Sequence, residues 1–186
     1  MGFALATASR DRGAAVTLIS GPTSLEAPFG LTKVDVKSAK QMYDAVLKSA
    51  AKADILIMAA AVSDFRPTNQ LTAKEKKSVA KLTLPLEPTE DILASVPNSL
   101  LKIGFAAETE NVEQNATAKL LTKNLDLIIA NDISNPDIGF ASDVNQVSII
   151  TRDGSVIRLP RLPKSEVAWK ILDFIKTLDS GNISPN

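Results

Sequence analysis

The stretch 54–77, DILIMAAAVSDFRPTNQLTAKEKK, concentrates the chemistry of this chain: Asp64 closes an apolar run, and Lys74, Lys76 and Lys77 follow. A short apolar segment ending in small residues reads as a central strand of a parallel sheet. Ligands of open α/β sheets bind outside the carboxyl ends of the strands, which places Asp64 beside a ligand. Several ammonium groups brought over that edge suit a ligand rich in phosphate. A lysine run is equally what a charged surface loop looks like, and both readings stay open on pattern alone. Ala59, Ala60 and Ala61 could let a ligand approach the backbone, or could pack beneath a helix.

Other candidates lie further along. Asp64, Glu108 and Asp132 each fall at or just past the carboxyl end of an expected strand. Three acids on one edge could hold magnesium or ligand hydroxyls, or could merely open polar loops. Lys119 and Lys123 are four apart on one helical face, where like charges cost roughly 0.2–0.5 kcal/mol. An anionic ligand would compensate that cost, although lysines near a helix C-terminus also suit its dipole. Phe105 could stack on a base or belong to the core.

Composition narrows the reactions. Lys and Arg number 21, as do Asp and Glu, so no net field favours nucleic acid or an anionic membrane and any basic function is local. With no cysteine and no histidine, thiolate nucleophiles, disulfides, serine–histidine triads and histidine bases are all excluded. What remains is Asp, Glu, Lys, Asn and backbone amides, a set suited to transfer reactions driven by positioning and charge neutralisation. No apolar run approaches a membrane span and no secretory leader is evident, which gives a cytoplasmic expectation.

The elements that must position these residues alternate. Helices are expected over 2–13, 38–53 (capped by Ser38), 111–123 (closed by Asn124) and 164–179. Strands are expected over 15–20, 31–36, 54–60, 81–86, 102–108 and 126–132, with Thr89 capping a short helix through Ser95. The segment 146–160 reads as a β-hairpin turning at Asp153 and Gly154. This predicts one α/β domain over 1–180, a Rossmann-like, doubly wound and mostly parallel sheet with a C-terminal hairpin appendage, and a flexible tail over 181–186. Such sheets open with a strand and a glycine turn, whereas this sequence opens inside a helix, so the first strand is expected upstream.

The ordered motifs AAAVSDFRP, KEKK, GFAAETEN, KNLDLIIANDIS and GFASDVNQVSII resemble the phosphopantothenate cysteine ligase (phosphopantothenoylcysteine synthetase) family, the C-terminal part of the DNA/pantothenate metabolism flavoproteins. The resemblance covers nearly the whole chain. It implies a step of coenzyme A biosynthesis in which 4'-phosphopantothenate and CTP form an acyl cytidylate and the cysteine amine then displaces CMP. Magnesium is implied with CTP, a homodimer as the assembly, and FMN only where a decarboxylase half lies upstream. Carried onto this sequence, the resemblance makes Met58, Ala59, Ala60 and Asp64 nucleotide contacts and Lys74 the functional flap lysine. Phe105, Lys119 and Lys123 match further CTP-contacting positions.

Three departures accompany the match. Of the family's S-N-x-x-S-G-x-M-G motif, whose asparagine holds the acyl cytidylate, only Met1-Gly2 is present. The family's K-N-P-D-I reads E-P-T-E-D-I through Asp91, and Glu75 replaces an apolar residue of the lysine run. An alternative is therefore a catalytically incomplete nucleotide-binding or oligomerisation module. A nicotinamide-dependent reductase on the same fold is disfavoured, because there is no G-x-G-x-x-G turn and Tyr43 is the only tyrosine.

Overall fold

The computed structural model describes residues 1–69, 83–132 and 142–181, with Asp132 and residues 179–181 described by their backbone alone. In chain order, α1 (Gly2–Asp11) leads to β1 (Thr17–Ser20), β2 (Thr32–Asp35), α2 (Ala39–Ala50) and β3 (Ile55–Met58). The short strands β4 (Phe65–Pro67) and β5 (Leu86–Pro88) precede α3 (Ile92–Ser95), β6 (Leu101–Glu108), α4 (Val112–Thr122) and β7 (Leu127–Asp132). The chain continues through β8 (Val144–Asn145), β9 (Val147–Thr151), β10 (Val156–Arg158), β11 (Leu162–Pro163) and α5 (Lys164–Gly181).

The central sheet has the order β10-β9-β7-β6-β3, with β3, β6 and β7 parallel and β9 and β10 antiparallel. Strands β1 and β2 form a separate parallel pair, while β4 pairs antiparallel with β5 and β8 with β11. The α/β class and its mostly parallel sheet are as expected, and the hairpin of β9 and β10 extends the central sheet directly.

Alternation along the strands assigns the core to two faces. Ile103, Leu127, Ile129, Val147 and Ile149 pack with Leu5 and Ala8 of α1 and with Val167, Ala168, Ile171 and Ile175 of α5. Ala106, Ile128, Ala130 and Ile150 pack with Leu93 of α3 and with Ala116 and Leu120 of α4. Because β6 and β7 are covered on both faces, they are apolar almost throughout, as buried parallel strands are. Each fully buried Leu or Ile contributes about 1.5–3 kcal/mol. Helix α2 places Met42, Val46 and Ala50 on one stripe, packs them with Val36, and starts where Ser38 Oγ accepts the Gln41 N–H at 3.2 Å.

Three local expectations are corrected. The apolar pattern of 81–86 gives no sheet strand over 83–85; only Leu86 belongs to β5, which pairs with Phe65–Pro67. Prolines at both Pro67 and Pro88 keep this arm short, since proline cannot donate to a ladder. The short helix is capped by Asp91, whose side chain accepts the Ala94 N–H at 3.1 Å. Thr89 instead donates its hydroxyl to the Ser63 carbonyl at 2.6 Å, tying the chain after β5 to the chain before β4. Finally, β3 ends at Met58, two residues earlier than expected.

Gly104 is fixed by close packing: a Cβ there would stand 2.5 Å from Leu125 Cδ1, and Leu125 is fully buried. Gly104→Ala should destabilise the domain by about 1–3 kcal/mol, the usual cost of overpacking, measured by urea denaturation.

Candidate functional site

The carboxyl edge of β3 and β6 gathers most of the candidate residues. Met58 is half-buried, packing toward α2 and α4, and Ala59 is half-buried against the α1 side. The start of α1 lies over it, since a Cβ on Gly2 would come within 3.9 Å of Ala59 Cβ. Ala60 and Ala61 are exposed just beyond the strand. Asp64 is exposed at the foot of the β4–β5 arm, and its backbone carbonyl accepts the Thr89 N–H at 2.9 Å. Arg66 clamps the same arm through Glu87 at 2.8 Å and Glu90 at 3.1 Å. The E-P-T-E-D-I segment thus supplies the carboxylates that hold an arginine at the arm. Lys74, with Lys76 and Lys77, lies outside the described residues.

Phe105 pairs in register with Ile129, and its half-buried ring packs on the α1 and α5 side. Its carbonyl is part of the site: Lys119 Nζ donates to Phe105 O at 3.1 Å, bringing the α4 ammonium to the sheet edge. One turn later, Lys123 Nζ forms an ion pair with Asp91 Oδ2. The like-charge cost expected for this helical face is thus met within the protein by a carbonyl and a carboxylate.

Asp91 is the titrating group these contacts define. Partial burial raises its pKa, but the hydrogen bonds from Lys123 and from the Ala94 N–H outweigh burial and hold it below the usual aspartate range. The pair is more than a third exposed, so it contributes little to stability.

The three acids expected on one edge are not equivalent. Glu108 and Asp132 are register neighbours on β6 and β7, but Glu108 Oε2 accepts from Asn115 Nδ2 at 3.2 Å and is engaged with α4. Asp64 lies six residues past the end of β3. Among the described residues no three carboxylates gather where they could hold one metal ion. The described acids therefore do not fit a protein-built magnesium cage.

Asn131 was not among the sequence candidates. It sits at the carboxyl end of β7, paired in register with Ala107 and Val147, and its Oδ1 is buried without a hydrogen-bond partner among the described residues. A buried acceptor at that edge calls for a donor. The available signal was a polar residue ending the otherwise apolar run LIIAN.

Fold and site together define a doubly wound α/β domain whose sheet edge carries Lys119, a buried amide oxygen without a partner among the described residues, and a small-residue strand end. More narrowly, the chain belongs to the DNA/pantothenate metabolism flavoprotein C-terminal domain family, whose model matches residues 1–178. It is 44% identical over 182 residues to the coenzyme A biosynthesis bifunctional protein CoaBC of Bacillus subtilis (strain 168), covering 96% of this chain and 45% of that protein. It is 43% identical over 186 residues to CoaBC of Escherichia coli (strain K12), covering 95% and 45%. The chain thus spans about half the length of the curated relatives it matches. A crystal structure of the C-terminal domain of a CoaBC protein superimposes with a TM-score of 0.81 at 39% identity, covering 97% of this chain and 83% of that one.

Because the folded-state pKa of Asp91 is lowered, its tie to Lys123 contributes fully above about pH 4 and is lost as the pH falls through the lowered value. A carboxyl NMR titration should place the Asp91 midpoint below that of a free aspartate, and Lys123→Ala should move it upward.

Proposed function

We propose that this domain catalyses the CTP-dependent joining of 4'-phosphopantothenate to cysteine, a step of coenzyme A biosynthesis. The observation that supports this reading is Lys119 donating to the Phe105 carbonyl beside the end of β3, in a chain of this family. Names of the relatives, coenzyme A biosynthesis bifunctional proteins, support the pathway.

In the reaction a carboxylate oxygen of 4'-phosphopantothenate bonds to the α-phosphorus of CTP while the bond to pyrophosphate breaks. The cysteine amine then bonds to the acyl carbon, the acyl–oxygen bond to CMP breaks, and the amine gives up a proton. Two anions must approach in the first step, so fixed cations that neutralise the crowded phosphates supply much of the rate. Lys119 suits this role because its partner is a neutral carbonyl, which an anionic phosphate oxygen outcompetes. Lys123 must leave a carboxylate, so its exchange is costlier. Met58, Ala59 and Ala60 offer backbone to the nucleotide, Asp64 accepts a hydroxyl or amino group, the Phe105 backbone anchors the edge, and Lys74 acts as the catalytic lysine. Any magnesium would be held by the triphosphate itself, whose charge it would balance, since the described acids form no cage for it. We assign the assembly as a homodimer in the cytoplasm, with FMN confined to any decarboxylase half of a longer protein.

A second reading, a nucleotide-binding module without turnover, is favoured by the fact that both lysines are already engaged by protein acceptors.

With CTP, magnesium, cysteine and 4'-phosphopantothenate, a protein of the relatives' full length that carries this domain should release pyrophosphate and form phosphopantothenoylcysteine. Lys74→Ala should lower kcat on the order of 10²-fold, as loss of a charge-stabilising group does. Lys119→Ala should weaken CTP binding about tenfold, the scale of a hydrogen bond to a charged group. No pyrophosphate release, or equal use of ATP, would sink the ligase assignment.

A further inference from the structure

At the amino end of β6, two cations are joined by a chain of neutral amides. Lys102 is 3% exposed, and the acceptor its ammonium has among the described residues is Asn98 Oδ1, at 2.9 Å. The same oxygen accepts from Asn124 Nδ2 at 3.1 Å, and Asn124 Oδ1 accepts from Arg152. Arg152 Nε also donates to the Leu125 carbonyl at 2.6 Å. Lysine and arginine side chains only donate, so the cations at the two ends fix which way both carboxamides point. The one acid in this cluster, Asp126, is taken up by backbone: its Oδ2 accepts the Lys102 N–H at 2.8 Å, and its own N–H returns to the Lys102 carbonyl at 2.9 Å.

These contacts join three segments that are remote in sequence. Asn98 lies in the turn after α3, between the buried Val96 and Leu100. Lys102 belongs to β6, and Asn124 follows α4 directly, with a left-handed φ of 51° and its N–H on the Leu121 carbonyl at 3.2 Å. Asn98 is itself exposed, so its part is the tie and not core packing. The helices joined by that tie carry groups of the candidate site: α3 starts at Asp91, and the last turn of α4 holds Lys119 and is closed by Lys123. The contact of Lys119 with Phe105 O spans α4 and β6, and the ion pair of Lys123 with Asp91 spans α4 and α3. A hydrogen bond from an ammonium is stronger than one between neutral groups, and breaking this one strands a buried cation.

We propose that Asn98 is a positioning residue for nucleotide binding: with one oxygen it ties the buried Lys102 and Asn124 together, and so sets where the end of α4 presents Lys119 and Lys123. Asn98 donates to neither lysine. It acts through Asn124, the residue after Lys123. This inference rests on the reading of both lysines as contacts of an anionic nucleotide. A residue that only closed a surface turn would affect stability and leave the lysines where they are.

Asn98→Ala and Asn98→Asp in the 186-residue chain test it, with CTP affinity measured by calorimetry, the Asp91 midpoint by carboxyl NMR and stability by urea denaturation. Asn98→Ala should weaken CTP binding about fivefold, the scale of one lost hydrogen bond. It should also raise the Asp91 midpoint, as Lys123 moves off that carboxylate. Asn98→Asp keeps an acceptor in the same place and should retain the CTP affinity. Asn98→Ala combined with Lys102→Met removes the buried cation along with its acceptor and should show the same loss of affinity as Asn98→Ala alone. The proposal is overturned if stability falls while CTP affinity or the Asp91 midpoint stays at its wild-type value. It is overturned equally if Asn98→Asp binds as weakly as Asn98→Ala, or if the double variant regains affinity, which would trace the loss to the stranded charge. If the wild-type chain does not bind CTP, the nucleotide reading fails by itself. The Asp91 midpoint then decides the positioning: a rise in Asn98→Ala supports it, and no rise overturns it.

Discussion

Strand β6 is the constraint on which the rest of the structure depends. It is hydrogen-bonded on both sides, to β3 and to β7, and it is covered on both faces, by α1 and α5 and by α3 and α4. Such a strand has to be apolar where it is covered, and at Gly104, beneath Leu125, there is no room for a side chain at all. Even its polar start obeys this rule: the buried Lys102 donates its ammonium to Asn98 Oδ1 at 2.9 Å, and its backbone N–H goes to Asp126 at 2.8 Å. Because β6 cannot shift without breaking two ladders, its carboxyl end is a fixed reference for every group placed there.

That fixed end explains the geometry of the cations. The Phe105 carbonyl gives Lys119 a partner at the sheet edge, and the short α3 helix, started by Asp91, gives one to Lys123. Helix α4 is therefore pinned at two points one turn apart, with its apolar stripe of Ala116 and Leu120 set on β6 and β7 between the sheet and solvent. A ligand that recruits these lysines must exchange one set of acceptors for another.

The parts legible in the sequence were those fixed by local periodicity. The apolar run DILIMAAA located β3, though the strand stops two residues short of the expected end, the three-and-four spacing of 111–123 located the helix carrying Lys119 and Lys123, and Ser38 announced its own cap. The parts that were not legible depend on residues distant in sequence. Asp91 meets Lys123 across 32 positions, Arg66 meets Glu87 across 21, and neither pairing has a local signature. The apolar alternation of 81–86 suggested a sheet strand, yet the observed pairing begins only at Leu86, because three-residue strands flanked by prolines carry almost no periodic signal. Asn131 was hidden by its apolar neighbours, since pattern alone does not tell whether a strand-end amide is buried or where its partners lie.

The central claim is that the carboxyl edge of β3, β6 and β7 is the nucleotide site. An amide NMR titration of the 186-residue chain with CTP, and separately with ATP, tests it most directly. The account predicts that CTP perturbs Ala59, Ala60, Asp64, Ala106 and Asn131 at lower concentration than ATP does. Perturbations centred instead on the outer α1–α5 surface around Arg12 and Trp169, or equal responses to the two nucleotides, would contradict it.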